Sequence, residues 1–219
     1  MHVGRTVDTD NAACNAWPAN PALTVAALPL PQKGNNGDSG TDDLEVLVAD
    51  SATGAVVAHT YQPSAITYDA VGLSGLAVDT ARYQLTPANR AFGMRINYSG
   101  SSRANPYEAT SLSLYVTAGQ TLHPVLDRRA VDSSNGDWDG NCSGTFDATS
   151  RSIEIGPAGK DGYAVLKVSE TTTHSISTQT KSDCVSQNPP QVRANLGFRR
   201  KCNSRSKLAC RASRVCSQP

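Results

Sequence analysis

The chain has 219 residues, of which 18% are charged, 38% hydrophobic and 5% aromatic. That balance suits a soluble domain with a core and excludes a fibre, a membrane-spanning bundle or a disulfide miniprotein. The formal charge of +1 hides an asymmetry: all seven basic residues of 199–219 stand without an acid, so residues 1–198 carry 13 basic against 19 acidic groups. An acidic body lacks the electrostatic footprint of a nucleic-acid binder.

No signal-like apolar run follows Met1, and the nearest, Leu23–Leu30, is short and lies far in, so the chain is expected to begin at a mature domain. Residues 1–33, rich in Pro and Ala from Asn11 to Lys33, read as an extended lead-in. Next, Leu44, Val46 and Val48 alternate along LEVLV, Asp50–Gly54 supplies a turn and Ala55–Tyr61 returns, which predicts a hairpin. Further strands are expected at 75–85, 91–98, 111–117, 121–131, 144–146, 152–155, 163–168 and 175–180. Ser111–Val116 reads SLSLYV, with Leu112, Leu114 and Val116 on one face. No window keeps a helical apolar period over three turns. Residues 34–198 are therefore expected to form an all-β domain, propeller-like or a sandwich, of about ten short antiparallel strands. Residues 199–219 read as an out-of-frame or vector-derived tail and are expected to be disordered, since they lack apolar material to offset chain ordering.

Cys14, Cys142 and Cys184 form no CxxC and have no His at ligand spacing. The pattern disfavours zinc and predicts a Cys142–Cys184 disulfide, with Cys14 left over, in an oxidising compartment. Oxygen side chains cluster at Asn35–Asp43, with Gly37 and Gly40 among them, just before a strand. A second cluster is Asn135–Asn141 and a third Lys160–Gly162. Such loops hold a hard cation such as calcium or simply make hairpin turns, and none has the full DxDxDG spacing. Gly37–Gly40 spells GDSG, yet only His2 lies upstream of Ser39, which excludes a chymotrypsin-like nucleophile. His59, His123 and His174 stand without carboxylates at a suggestive spacing, and no Walker, GxGxxG or HExxH motif occurs, so no enzyme is expected. The polar loop from Tyr98 to Tyr107 carries Ser99, Gly100, Ser101, Ser102, Arg103 and Asn105 between two strands. Tyr and Arg dominate recognition surfaces, so this loop is the candidate partner-binding site, against the plainer reading of a solvated hairpin connection.

The stretch GNNGDSGTDDLEVLVADSATGAVVAHTYQP resembles an FG-GAP or VCBS-type propeller repeat, through Asn36-Gly37-Asp38 and Asp43-Leu44. That resemblance implies a calcium site at Asn36, Asp38 and Asp43, with one extra residue between its halves. The segment from Asp79 to Val168 is similar to proteobacterial periplasmic proteins and lipoproteins, some of whose relatives are lysozyme inhibitors or immunity proteins. In the i-type lysozyme inhibitor family a Ser-Gly-x-Tyr loop enters the enzyme cleft; here Ser99-Gly100-Ser101-Ser102 has Ser at the fourth place. The resemblance implies an exported, periplasmic or secreted protein that binds a cell-wall hydrolase through the Ser99–Tyr107 loop, with a lipid anchor compatible with a longer precursor. The alternative partner is a carbohydrate, held by aromatics such as Trp17 and Trp138 on one sheet face, and a hydrolase is the third reading.

Overall fold

The computed structural model describes residues 5–202 and 210–214 apart from 37, 161, 182, 189 and 190. Among them there is no helix, and thirteen strands join into one open sheet. A first antiparallel meander comprises β1 (Ala13–Ala16), β2 (Leu23–Pro31), β3 (Gly40–Asp50) and β4 (Val56–Tyr68). A second runs through β5 (Val71–Gln84), β6 (Arg90–Gly100), β7 (Tyr107–Ala118), β8 (Thr121–Trp138), β9 (Gly144–Ala158) and β10 (Ala164–Gln179). β11 (Cys184–Gln187) and β12 (Val192–Cys202) pair with β10, and β13 (Cys210–Arg214) pairs with β12. One parallel bridge, His59 to Thr121, links the two meanders.

Period-two burial explains how they pack. Val25 and Ala27 on β2 and Leu44, Val46 and Val48 on β3 face Phe92, Met94 and Ile96 on β6 in one core. Of the two architectures expected, the molecule adopts the sandwich. Leu112, Leu114 and Val116 point the other way, into a second core with Tyr83, Leu85, Val125, Leu126 and Leu166. β7 is thus covered on both faces, which SLSLYV conceals because Ser113 and Tyr115 supply its other, equally buried side. The predicted 50–54 turn forms as read: the Asp50 carboxylate accepts the amides of Ala52 and Thr53, and Gly54 takes a positive φ of 71°.

Three expectations are corrected. The lead-in holds two strands, and β2 is an integral one whose Val25 and Ala27 are fully buried. Its prolines fit because β1 pairs only with Thr24–Ala27, leaving Pro29 and Pro31 on an open edge where no amide is needed. The carbonyls there are used instead: Pro29 accepts the Asp8 amide, and Leu30 and Pro31 accept Arg5. Second, the segments 144–146 and 152–155 are one strand, as are 163–168 and 175–180, and β8 continues to Trp138. Polar residues fill the joins, so alternation fades while the hydrogen-bond ladder persists. Third, where a disordered tail was expected, residues 198–202 pair with 210–214, while 203–209 and 215–219 lie outside the described residues.

The Cys142–Cys184 disulfide forms, with Cα atoms 5.6 Å apart, and ties the β8–β9 turn to β11. The Asp139 carboxylate shapes that turn by accepting the amides of Asn141, Cys142 and Ser143, and these bonds hold its pKa below the usual range. The C142S/C184S double variant is expected to lose about 2 kcal/mol, the low end for a disulfide, because the β9–β10 hairpin already orders most of the enclosed chain. Urea midpoints of the variant and the oxidised parent check this, and equal midpoints contradict it.

Candidate functional site

The predicted recognition loop is shorter and stiffer than its sequence suggests. Ser99 still pairs with Glu108, so the connection proper is Ser101–Pro106. Its backbone is stapled to the end of β8: the Trp138 amide donates to the Ala104 carbonyl at 2.7 Å and the Gly136 amide to Pro106 at 3.0 Å. Ser101, Ser102, Arg103 and Asn105 are exposed, and the Ser102 hydroxyl accepts the Asn105 amide. Tyr107 is 38% exposed beside the loop. Tyr98 instead packs against the first core, and burial raises its pKa, so it is not presented with the others.

The residues named for calcium have separate partners. Asn36 turns its side-chain oxygen onto the amides of Asp38 and Ser39, which makes an Asx turn; Asp38 is exposed. Asp43 is 2% exposed, and its carboxylate receives the Tyr61 hydroxyl at 2.6 Å, Gln32 at 2.7 Å, the Ser64 amide at 2.8 Å and Arg5 at 2.9 Å. Burial alone would raise its pKa, but these donors outweigh it and hold the carboxyl far below the usual range. Its neighbours Asp42 and Glu45 are equally buried. Asp42 accepts Asn35 at 2.7 Å, yet burial dominates there and raises its pKa. Gly37 lies outside the described residues.

Among the three histidines His59, His123 and His174, two do have carboxylate partners, contrary to the reading from spacing. His59 Nδ1 lies 2.5 Å from Glu45, and His174 Nδ1 lies 2.8 Å from Asp147. Strand pairing brings together residues 14 and 27 apart in the chain, a nearness that no local motif carries.

The larger feature is a trough across β7, β8, β9 and β10, beyond the second core. Register sets its floor. One row runs Asn97–Thr110–Asp132–Ser150–Thr171, and the next Glu108–Ser134–Ala148–Thr173. Side chains of a row share a face and neighbouring strands stand about 4.8 Å apart, so the four strands span about 14 Å. Two compartments of about 380 and 340 Å³ share Glu108, Ser134, Ala148 and Thr173. Phe146 lines the second, with Pro106 from the loop and Tyr107 at the start of β7. A Cβ on Gly136 would fall 2.5 Å from Phe146 Cδ1, so the glycine is what lets this ring lie against the strand. Asp132 is oriented by the Ser150 hydroxyl at 2.8 Å and by Arg95 at 3.8 Å, and Arg95 is itself fixed on Asp79 at 2.9 Å. Sequence reasoning marked only the Tyr107 end of this surface. The rest lay in Ser/Thr-rich stretches whose sole signal was a strand with no apolar face.

No family model, curated protein or solved structure matches this chain.

Proposed function

We propose that this protein is exported and non-catalytic, and that it binds a polyhydroxylated chain, a glycan, in the trough across β7–β10. The carrying observation is the pair of contiguous compartments floored by two in-register rows rich in hydroxyls and carboxylates, with Phe146 at one end. Paired Ser, Thr, Asp and Glu side chains exchange hydrogen bonds with sugar hydroxyls directly or through water, and an aromatic ring gives a pyranose an apolar platform. A rigid sheet holds these groups in place before binding, which lowers the ordering cost. The disulfide supports export, and among the described residues no helix is long and apolar enough to cross a membrane.

Ala148 gives the test. It is exposed and lines both compartments, so Ala148→Trp should fill the trough without touching a core. On a panel of cell-wall and storage glycans, the parent is expected to bind at least one class. Ala148→Trp should bind it more than tenfold more weakly at an unchanged melting temperature. A parent that binds no glycan ends this reading.

The stapled loop favours a second reading, an inhibitor of a cell-wall hydrolase such as a lysozyme, with exposed Arg103 offered to an acidic cleft. It calls for inhibition that Arg103→Ala weakens far more than Lys160→Ala. Equal effects of the two, or no inhibition by the parent, rule it out.

A further inference from the structure

We infer that the trough selects a glycan carrying free, protonated amines, a de-N-acetylated hexosamine polymer, over neutral or anionic glycans. This deepens the glycan reading and rests on it. Glu108 is the one charged residue common to both compartments. It is exposed, and no hydrogen bond or ion pair occupies its carboxylate among the described residues. Because Glu108 pairs with Ser134 and Thr110 with Asp132, Glu108 and Asp132 are diagonal cross-strand neighbours on one face, about 7–8 Å apart at Cα. Two carboxylates at that separation reach one ammonium between them, while Ser134, Ser150 and Thr110 stand beside it to meet ring hydroxyls.

The surrounding charges point the same way. No Lys or Arg lines either compartment. Arg95 is fixed on Asp79 at 2.9 Å and also lies 3.8 Å from Asp132, and Arg193 stands on β12 opposite Thr171. Asp147 alternates with Phe146 and Ala148, so its carboxylate lies on the other face of the sheet with His174; the acids on the trough face are Glu108, without an ion pair among the described residues, and Asp132, which has the 3.8 Å contact to Arg95. An anionic glycan would meet like charge here. A basic peptide also carries ammonium groups. The trough, however, presents rows of hydroxyls and lacks the alternating apolar pockets that read an extended peptide.

The experiment titrates the full chain with a glucosamine oligomer, its fully N-acetylated counterpart of equal length, a uronic-acid oligomer and polylysine. Mildly acidic buffer keeps the amines protonated and the carboxylates ionised. The glucosamine oligomer should bind about tenfold more tightly than the acetylated one, as expected for a charge-assisted contact. That gap should close in high salt and in Glu108→Gln, and the acetylated oligomer should bind Glu108→Gln as it binds the parent. Asp132→Asn, which keeps shape and hydrogen bonding, should give a partial loss and guards against an effect peculiar to Glu108. Equal or tighter binding of the acetylated or uronic-acid oligomer overturns the inference and leaves the glycan reading standing. Polylysine binding as tightly as the glucosamine oligomer overturns it by showing that charge alone is read. If none of the sugars binds, both fall.

Discussion

Asp43→Ala is expected to destabilise the fold by about 3–5 kcal/mol, the range for removing one partner of a buried charge pair. Four donors converge on this carboxylate: Arg5, Tyr61, Gln32 and the Ser64 amide. Deleting it leaves them without their acceptor beside a core strand. Ser64 holds a positive φ of 49° to aim its amide there, a strained geometry that loses its return in the variant. Arg5 also fastens residues preceding β1 over the open edge of β2, so those residues should become protease-sensitive. Equilibrium urea unfolding gives the magnitude, and a loss below about 1 kcal/mol would mean that water replaces the carboxylate.

Acid titration separates Asp43 from Asp42. The folded pKa of Asp43 is depressed, so its contribution is complete above the unfolded value near 3.9 and is lost as pH falls through the folded pKa. Asp42 has the opposite sign: its folded pKa is raised, so it costs stability at neutral pH and the cost is relieved as acid protonates it. Stability should therefore rise on going from neutral to mildly acidic pH and fall steeply below about pH 4. Asp42→Asn should flatten the rise and leave the fall. A monotonic decline from neutral pH in the parent would contradict the assignment to Asp42.

Phe92→Ala is expected to cost about 3–5 kcal/mol by leaving a cavity that its neighbours cannot close. The ring is fully buried between the meanders, stacked on Tyr115 at 5.8 Å and met edge-on by Trp17 at 5.8 Å. Tyr115 cannot follow into the space, because its hydroxyl accepts a hydrogen bond from Gln62 across the sandwich. Trp17 comes from the β1–β2 connection, so its fluorescence should shift to the red as water reaches it. Phe92→Leu should recover most of the stability, and a negligible loss in Phe92→Ala would show that the interface re-forms around the gap.

What could be read in advance followed the physics of wet and dry faces. The β3–β4 hairpin, β6 and β7 announced themselves because turn residues bound them and apolar side chains alternate within them. The disulfide was legible from the lack of any other role for its cysteines. β2 was hidden by Pro29 and Pro31, which read as breakers until the open edge beside them is seen. Asp43 and Glu45 looked like the wet side of an alternating strand, yet both are buried, because Arg5 and the β4 residues Tyr61 and His59 supply their partners from elsewhere in the chain. Of the trough, Tyr107 could be named from composition. Glu108, Asp132, Ser150 and Thr173 could not, since only the register of β7–β10 makes them neighbours.

The trough-bearing part of that sheet, from Asp132 on β8, as far as Arg151 on β9 and from Thr171 on β10, is largely polar on both sides, which has a consequence for how the molecule can diversify. Most residues there touch water, so exchanging one for another creates neither a cavity nor an orphaned buried group, and such changes typically stay within about 0.5 kcal/mol. The two cores hold the stability, and the polar part of the outer sheet takes its shape from backbone pairing and from the Cys142–Cys184 disulfide. Selection can therefore rewrite the trough-facing side chains while the scaffold beneath them stays as it is.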